Sequence, residues 1–128
     1  MNAARLDVTE PHGHPGAMIY KLFRTPEWQA LRAEGSSTGA PIDLSDGFLH
    51  FSTAAQVAET AGKHFAGAEG LWLIGVEDAV VADNLHWEIS RGGAKFPHLY
   101  APLRLDQVAW AQPLPMVGGV HVFPAGLM

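Results

Sequence analysis

Gly47-Phe48-Leu49-His50-Phe51-Ser52-Thr53-Ala54-Ala55-Gln56 is the stretch whose reading decides the fold. It begins as a strand and ends as the start of a helix. Leu49 and Phe51 point to one face of the strand, and His50 and Ser52 to the other. Thr53 stands three residues before Gln56, which reads as a capping box, and an apolar-periodic run follows. An imidazole, two hydroxyls and a helix N-terminus therefore meet within four residues. Such a terminus offers free N–H groups and a partial positive charge, which suits an anionic ligand. The competing reading is a capped helix after an edge strand, with no ligand at all.

Working outward, Ala54, Val57, Ala58, Ala61 and Phe65 form one stripe of the helix, which ends near Gly67. Upstream, Met18 to Phe23 is a short apolar run that predicts a central strand. Lys21 shares its face with Ile19 and Phe23, so its ammonium either snorkels to the sheet end, the favoured reading, or faces a pocket. Thr25-Pro26-Glu27 opens a helix with Trp28 and Leu31 on one face, and Gly35 stops it. Residues 35–47, rich in Ser, Gly, Pro and Asp, are expected to form a loop that could fold over a site.

Downstream, Leu71 to Val76 is the most apolar segment and predicts a buried strand. Leu85 to Ile89 alternates strictly, with Leu85, Trp87 and Ile89 on the core face and His86 and Glu88 opposite. Arg91 to Ala94 is a turn. Phe96 to Tyr100 is a strand whose Pro97 argues for an edge or an end. Leu105 to Ala111 predicts a turn leading into a strand, and Val120 to Phe123 a last strand. Residues 1–16, with Pro11, Gly13, Pro15, Gly16, His12 and His14, read as a flexible tail ahead of a single domain over 17–128. Many short strands with two main helices in the first half do not make the regular alternation of a doubly wound sheet. The expected class is α+β with antiparallel or mixed sheets.

Composition narrows the function. The chain has 128 residues, 48% of them apolar, enough for a real core. Its net charge of −5 and eight Lys and Arg argue against a broad phosphate footprint, hence against nucleic acid. No cysteine is present, so a thiolate metal site or a Cys nucleophile is excluded. No apolar run approaches the roughly 20 residues of a membrane span, and the N-terminus lacks the apolar core of a secretory signal, so a cytoplasmic protein is expected.

Three strands carry a polar pair at i, i+2 opposite an apolar face: His50/Ser52, His86/Glu88 and His98/Tyr100. If the strands are neighbours, the pairs line one cleft. Two chemistries fit. In one, Glu88 supports an electrophilic sugar-like centre or acts as a general base, while His50, Ser52 and Thr53 hold phosphates or ribose hydroxyls and Tyr100 stacks on a ring. In the other, His50, His86, Glu88 and His98 bind a metal. The tight spacings of established metal motifs are absent, so no metal is expected. Ser52 lacks the Gly-x-Ser-x-Gly elbow of a nucleophile.

The run GFLHFSTAAQV, the later LHWE, the closing FPHLYAPL and the opening IYKLF with Trp28 resemble the bacterial family known as domain of unknown function 952, over about residues 18–113. That family is grouped with the ADP-ribosyltransferase-like superfamily. The resemblance implies split antiparallel sheets clasping NAD as substrate. It would place Tyr20-Lys21 on the first strand, His50, Ser52 and Thr53 on the second and Glu88 on the third. Lys21 stands where such folds carry a His or Arg. The implied site is a cleft of His50, Ser52, Thr53, Glu88, His98, Tyr100 and Lys21 for a nucleotide or other small anionic ligand. Glu88 and His50 would be catalytic for ADP-ribosyl transfer. A non-catalytic binding module on the same fold and a His/Glu metal-dependent enzyme are the alternatives.

Overall fold

The computed structural model describes residues 17–127. The tail predicted over 1–16, with His12 and His14, lies outside the described residues. In chain order the elements are β1 (Met18–Arg24), α1 (Thr25–Glu34), β2 (Ser36–Ser37), α2 (Pro41–Asp46), β3 (Leu49–His50), α3 (Ala54–His64), β4 (Leu71–Glu77), β5 (Leu85–Ile89), β6 (Lys95–Leu99), β7 (Leu103–Arg104), β8 (Val108–Leu114), β9 (Met116–Val117) and β10 (Val120–His121). Tight 3₁₀ turns precede β5 and β8. The class is α+β and every strand pair is antiparallel.

Strand β4 is central in a sheet ordered β1-β4-β8. It is apolar along its length because both faces are covered. On one face Ile19, Phe23, Ile74 and Val76 pack with Trp28 and Leu31 of α1. On the other, Tyr20, Leu22, Leu71 and Leu73 pack with Val57 and Ala61 of α3. Gly75 admits the Trp110 ring from β8, since a Cβ there would press on it.

A second sheet is ordered β3-β6-β5. Its inner face, with Leu49, Phe51 and Leu99, closes over the α1 side of the first sheet. The two sheets are joined where the chain leaves β3. Phe51 N–H donates to the Pro97 carbonyl at 3.0 Å, and Pro97 has no N–H to return. The ladder stops there, and Ser52 instead exchanges two backbone hydrogen bonds of 2.8 Å with Tyr20 of β1.

Several expectations are corrected. Pro97 lies in β6, the middle strand of its sheet, not at an edge; it ends pairing on one side only. The segment 35–47 is not a plain loop, because Pro41 starts the six-residue helix α2 and Gly47, at φ 89°, stops it. Three helices therefore stand in the first half instead of two. Six residues are too few for an apolar period, and Ile42 and Leu44 are exposed. Strand β5 outruns the core: Leu85 packs against it, but Trp87 and Ile89 are 37% and 68% exposed. Lys21 does not snorkel to the sheet end; it is buried and paired with Asp43 of α2. Among the described residues no helix is long and apolar enough to cross a membrane.

Candidate functional site: a row of imidazoles on the second sheet

Period-two alternation decides what the outer face of the second sheet carries. Leu49, Leu99 and Leu85 stand opposite one another on the inner face, so their neighbours His50, His98 and His86 stand opposite one another on the outer face. His50, His86, Glu88 and His98 thus lie on neighbouring strands, with Tyr100 just past the end of β6, while Ser52 pairs with β1. Phe48 and Tyr100 extend the row. The Phe48 ring stacks on His98 at 4.2 Å between centroids, and it meets His50 at 4.6 Å and Tyr100 at 5.1 Å. His86 meets Tyr100 edge-on at 5.1 Å.

Glu88 is held at the β5 end of this shelf. His98 Nδ1 lies 2.7 Å from its Oε1, and the Tyr100 hydroxyl donates to the same oxygen at 2.7 Å. The His98 ring is buried while Glu88 is 43% exposed. The hydrogen bond with His98, then that from Tyr100, holds the Glu88 carboxyl below its ordinary value. The same bond with Glu88 pushes the Tyr100 phenol up.

Beneath the other end lies Asp43, fully buried on α2. Its Oδ1 accepts from the His50 backbone N–H at 3.0 Å and pairs with His50 Nδ1 at 2.6 Å. Its Oδ2 accepts from Ala40 N–H at 2.7 Å and pairs with Lys21 Nζ at 2.9 Å. Lys21 points inward with Ile19 and Phe23, and its ammonium also donates to the His50 carbonyl at 2.9 Å. Burial pushes Asp43 up, but the His50 hydrogen bond and the Lys21 charge outweigh it, leaving the carboxyl at about 2. Burial pushes the Lys21 ammonium down, against the pull of Asp43. Gly39 makes room for this carboxylate, since a Cβ there would overlap it. On the exposed side, His50 Nε2 lies 2.9 Å from Asp46 Oδ2.

The structure brings His50, Glu88, His98 and Tyr100 to one surface and leaves the other predicted site residues off it. Ser52 is buried, and its hydroxyl bonds Thr60 Oγ1 of α3 at 3.0 Å. Thr53 gives its N–H to Gln56 Oε1 at 3.0 Å, and the Gln56 amide donates to the Lys95 carbonyl, so this helix start ties α3 to β6. Lys21 lies under the sheet. The sequence reading missed Phe48, which alternation from His50 could have placed, and Asp43 and Asp46, for which it held no local signal. A cleft of about 240 Å³ opens beside Phe48 and Tyr100, with Thr38, Leu49, Leu99 and Pro102 among its lining. His50, His86, Glu88 and His98 share a face, but no three His, Asp or Glu among the described residues are arranged to hold a metal ion.

A family model described as "Protein of unknown function (DUF952)" matches residues 22–111. The chain belongs to the DUF952 family. The match runs from β1 into β8 and so takes in every member of the imidazole shelf. This DUF952 chain is also similar to protein CC0527 from Caulobacter crescentus. To its crystal structure it is 43% identical, with a TM-score of 0.79, covering 82% of this chain and 93% of that one. To its solution NMR structure it is 44% identical, with a TM-score of 0.74, covering 80% and 90%. No curated protein matches.

Proposed function

We propose that the outer face of the β3-β6-β5 sheet binds a small anionic ligand of the nucleotide class, with NAD as substrate, and that Glu88 is its reacting carboxylate in ADP-ribosyl transfer. The observation that carries this reading is Glu88 itself: a solvent-reachable carboxylate fixed by His98 and Tyr100 at one oxygen, beside flat aromatic and imidazole surfaces. When the bond from ribose C1′ to nicotinamide breaks, positive charge develops on the sugar. A carboxylate already in place stabilises that charge without reorganising. A base would need a pKa near the working pH, and the lowered Glu88 value favours the electrostatic role over proton abstraction. Oε2 is the atom assigned to the ribose, and Phe48 and Tyr100 the surfaces assigned to a base ring.

One observation favours a second reading, a binding module without chemistry. Lys21, at the first-strand position where a basic group would serve the cleft, is instead paired with Asp43 beneath the sheet. A thermal-shift and calorimetric screen with NAD, ADP-ribose and AMP, followed by an assay for released nicotinamide, separates the two. A ligand at 100 times its Kd stabilises by about 2.7 kcal/mol. Binding with nicotinamide release supports the transferase, and binding without release the module. Absence of any shift with all three overturns both.

A further inference from the structure

We infer that the Asp46 carboxylate is an internal stand-in for an anionic group of the ligand, and that this group, a phosphate or carboxylate oxygen, takes its place at His50 Nε2. The inference rests on the nucleotide reading for the use of the shelf, and it adds which atom receives the anion. His50 is gripped unequally. Its Nδ1 side is fixed from below by the fully buried Asp43, whose charge Lys21 answers from within the core. Among the described residues its Nε2 side pairs with Asp46, both side chains being partly exposed, at 33% and 41%. Asp43, buried beneath the ring, fixes Nδ1 and so turns Nε2 outward toward Asp46. Asp43 therefore acts as a positioning residue.

Asp46 is a replaceable acceptor. A part-exposed ion pair of this kind is weak and exchanges with solvent ions. The helix gives Asp46 no reason to be acidic, because it is the last residue of α2, where free carbonyls gather negative charge. Its ion-pair partner is the His50 imidazole, 2.9 Å away. Phe48 packs against the same ring at 4.6 Å, so an anion displacing Asp46 would arrive beside the stacking surface assigned to the base. Phosphate and ring of one nucleotide would then be read by His50 of β3 and by Phe48 just ahead of that strand.

The test uses inorganic pyrophosphate, which has anionic oxygens but neither ribose nor glycosidic bond. Titration is followed by imidazole ¹⁵N NMR of the intact chain and by calorimetry. In the wild type, the His50 Nε2 resonance should move. In Asp46→Ala, affinity should rise about fivefold, the worth of a part-exposed ion pair removed from competition. Asp46→Asn, which keeps the side-chain size, should do the same if the alanine variant folds poorly. His50→Asn should abolish the gain. An Asp46 variant that binds no tighter, or a His50 Nε2 resonance that pyrophosphate does not move, overturns the inference. NAD or ADP-ribose bound with Nε2 unmoved would overturn it while leaving the proposed function standing. A pyrophosphate response without nucleotide binding would do the reverse.

Discussion

Lys21 Nζ and Asp43 Oδ2 lie 2.9 Å apart with side chains 4% and 0% exposed. This buried pair explains how a lysine survives on the inward face of β1 and why His50 is oriented as it is. Removing one member of such a pair leaves an uncompensated charge in the core, which costs about 3 kcal/mol or more. Lys21→Met should therefore destabilise by about that amount. Lys21→Met with Asp43→Asn should cost clearly less than the sum of the single changes. Urea unfolding of the four proteins checks this; strict additivity would show that the two charges are not coupled.

Asp43 also sets an acid limit. Its carboxyl lies at about 2 in the folded chain against 3.8 ordinarily. The unfolded chain thus takes up the proton first as pH falls, and the folded state gains only while Asp43 is ionised. About 2 kcal/mol of stability, at 1.36 kcal/mol per pH unit, should be present above pH ~4 and disappear between pH ~4 and ~2. Unfolding free energies of the wild type and of the Lys21→Met/Asp43→Asn protein should therefore converge over that window. An undiminished gap at pH 2.5 would refute the assignment.

The range of each interaction decides what the sequence could reveal. Alternation in LHWEI and in the strand of His98 and Tyr100 places the polar pairs correctly, because period two is a local property of a strand. It does not show that the three strands are neighbours, since register is settled by long-range pairing. Lys21 is misread because snorkelling is judged from one strand, whereas its partner comes from a short helix far along the chain with no apolar period of its own. Ser52 and Thr53 are over-read for the opposite reason. Their local pattern is a sound helix start, and Thr60 and Gln56 use it to tie α3 to the sheets.

Gly39 gives a steric test of the Asp43 nest. Its φ of 106° disfavours any side chain, and a Cβ would overlap the Asp43 carboxylate. Gly67, at φ 76°, shares the first problem but has open space around it. Gly39→Ala should cost about 2–3 kcal/mol and Gly67→Ala about 1 kcal/mol. Comparison of their denaturation midpoints isolates the crowding term. Equal losses would mean that the carboxylate is not tightly seated.

Glu88 supplies a test that needs no ligand. Two donors converge on Oε1 and hold its carboxyl below the ordinary 4.5, with His98 the larger influence and Tyr100 the second. Tyr100→Phe removes one donor while keeping the ring, so the Glu88 carboxyl should titrate at higher pH, by ¹³C NMR of the labelled side chain. His98→Phe should raise it further and Glu88→Gln should erase the signal. Because Glu88 is ionised throughout the neutral range, any ADP-ribosyl transfer should show no Glu88 limb between pH ~6 and ~9. Glu88→Gln should lower such transfer about 100-fold or more, as loss of preorganised charge does elsewhere. If Tyr100→Phe leaves the titration unmoved, the hydroxyl does not hold Oε1 in solution, and the carboxylate loses the fixed geometry on which the proposed electrostatic role depends.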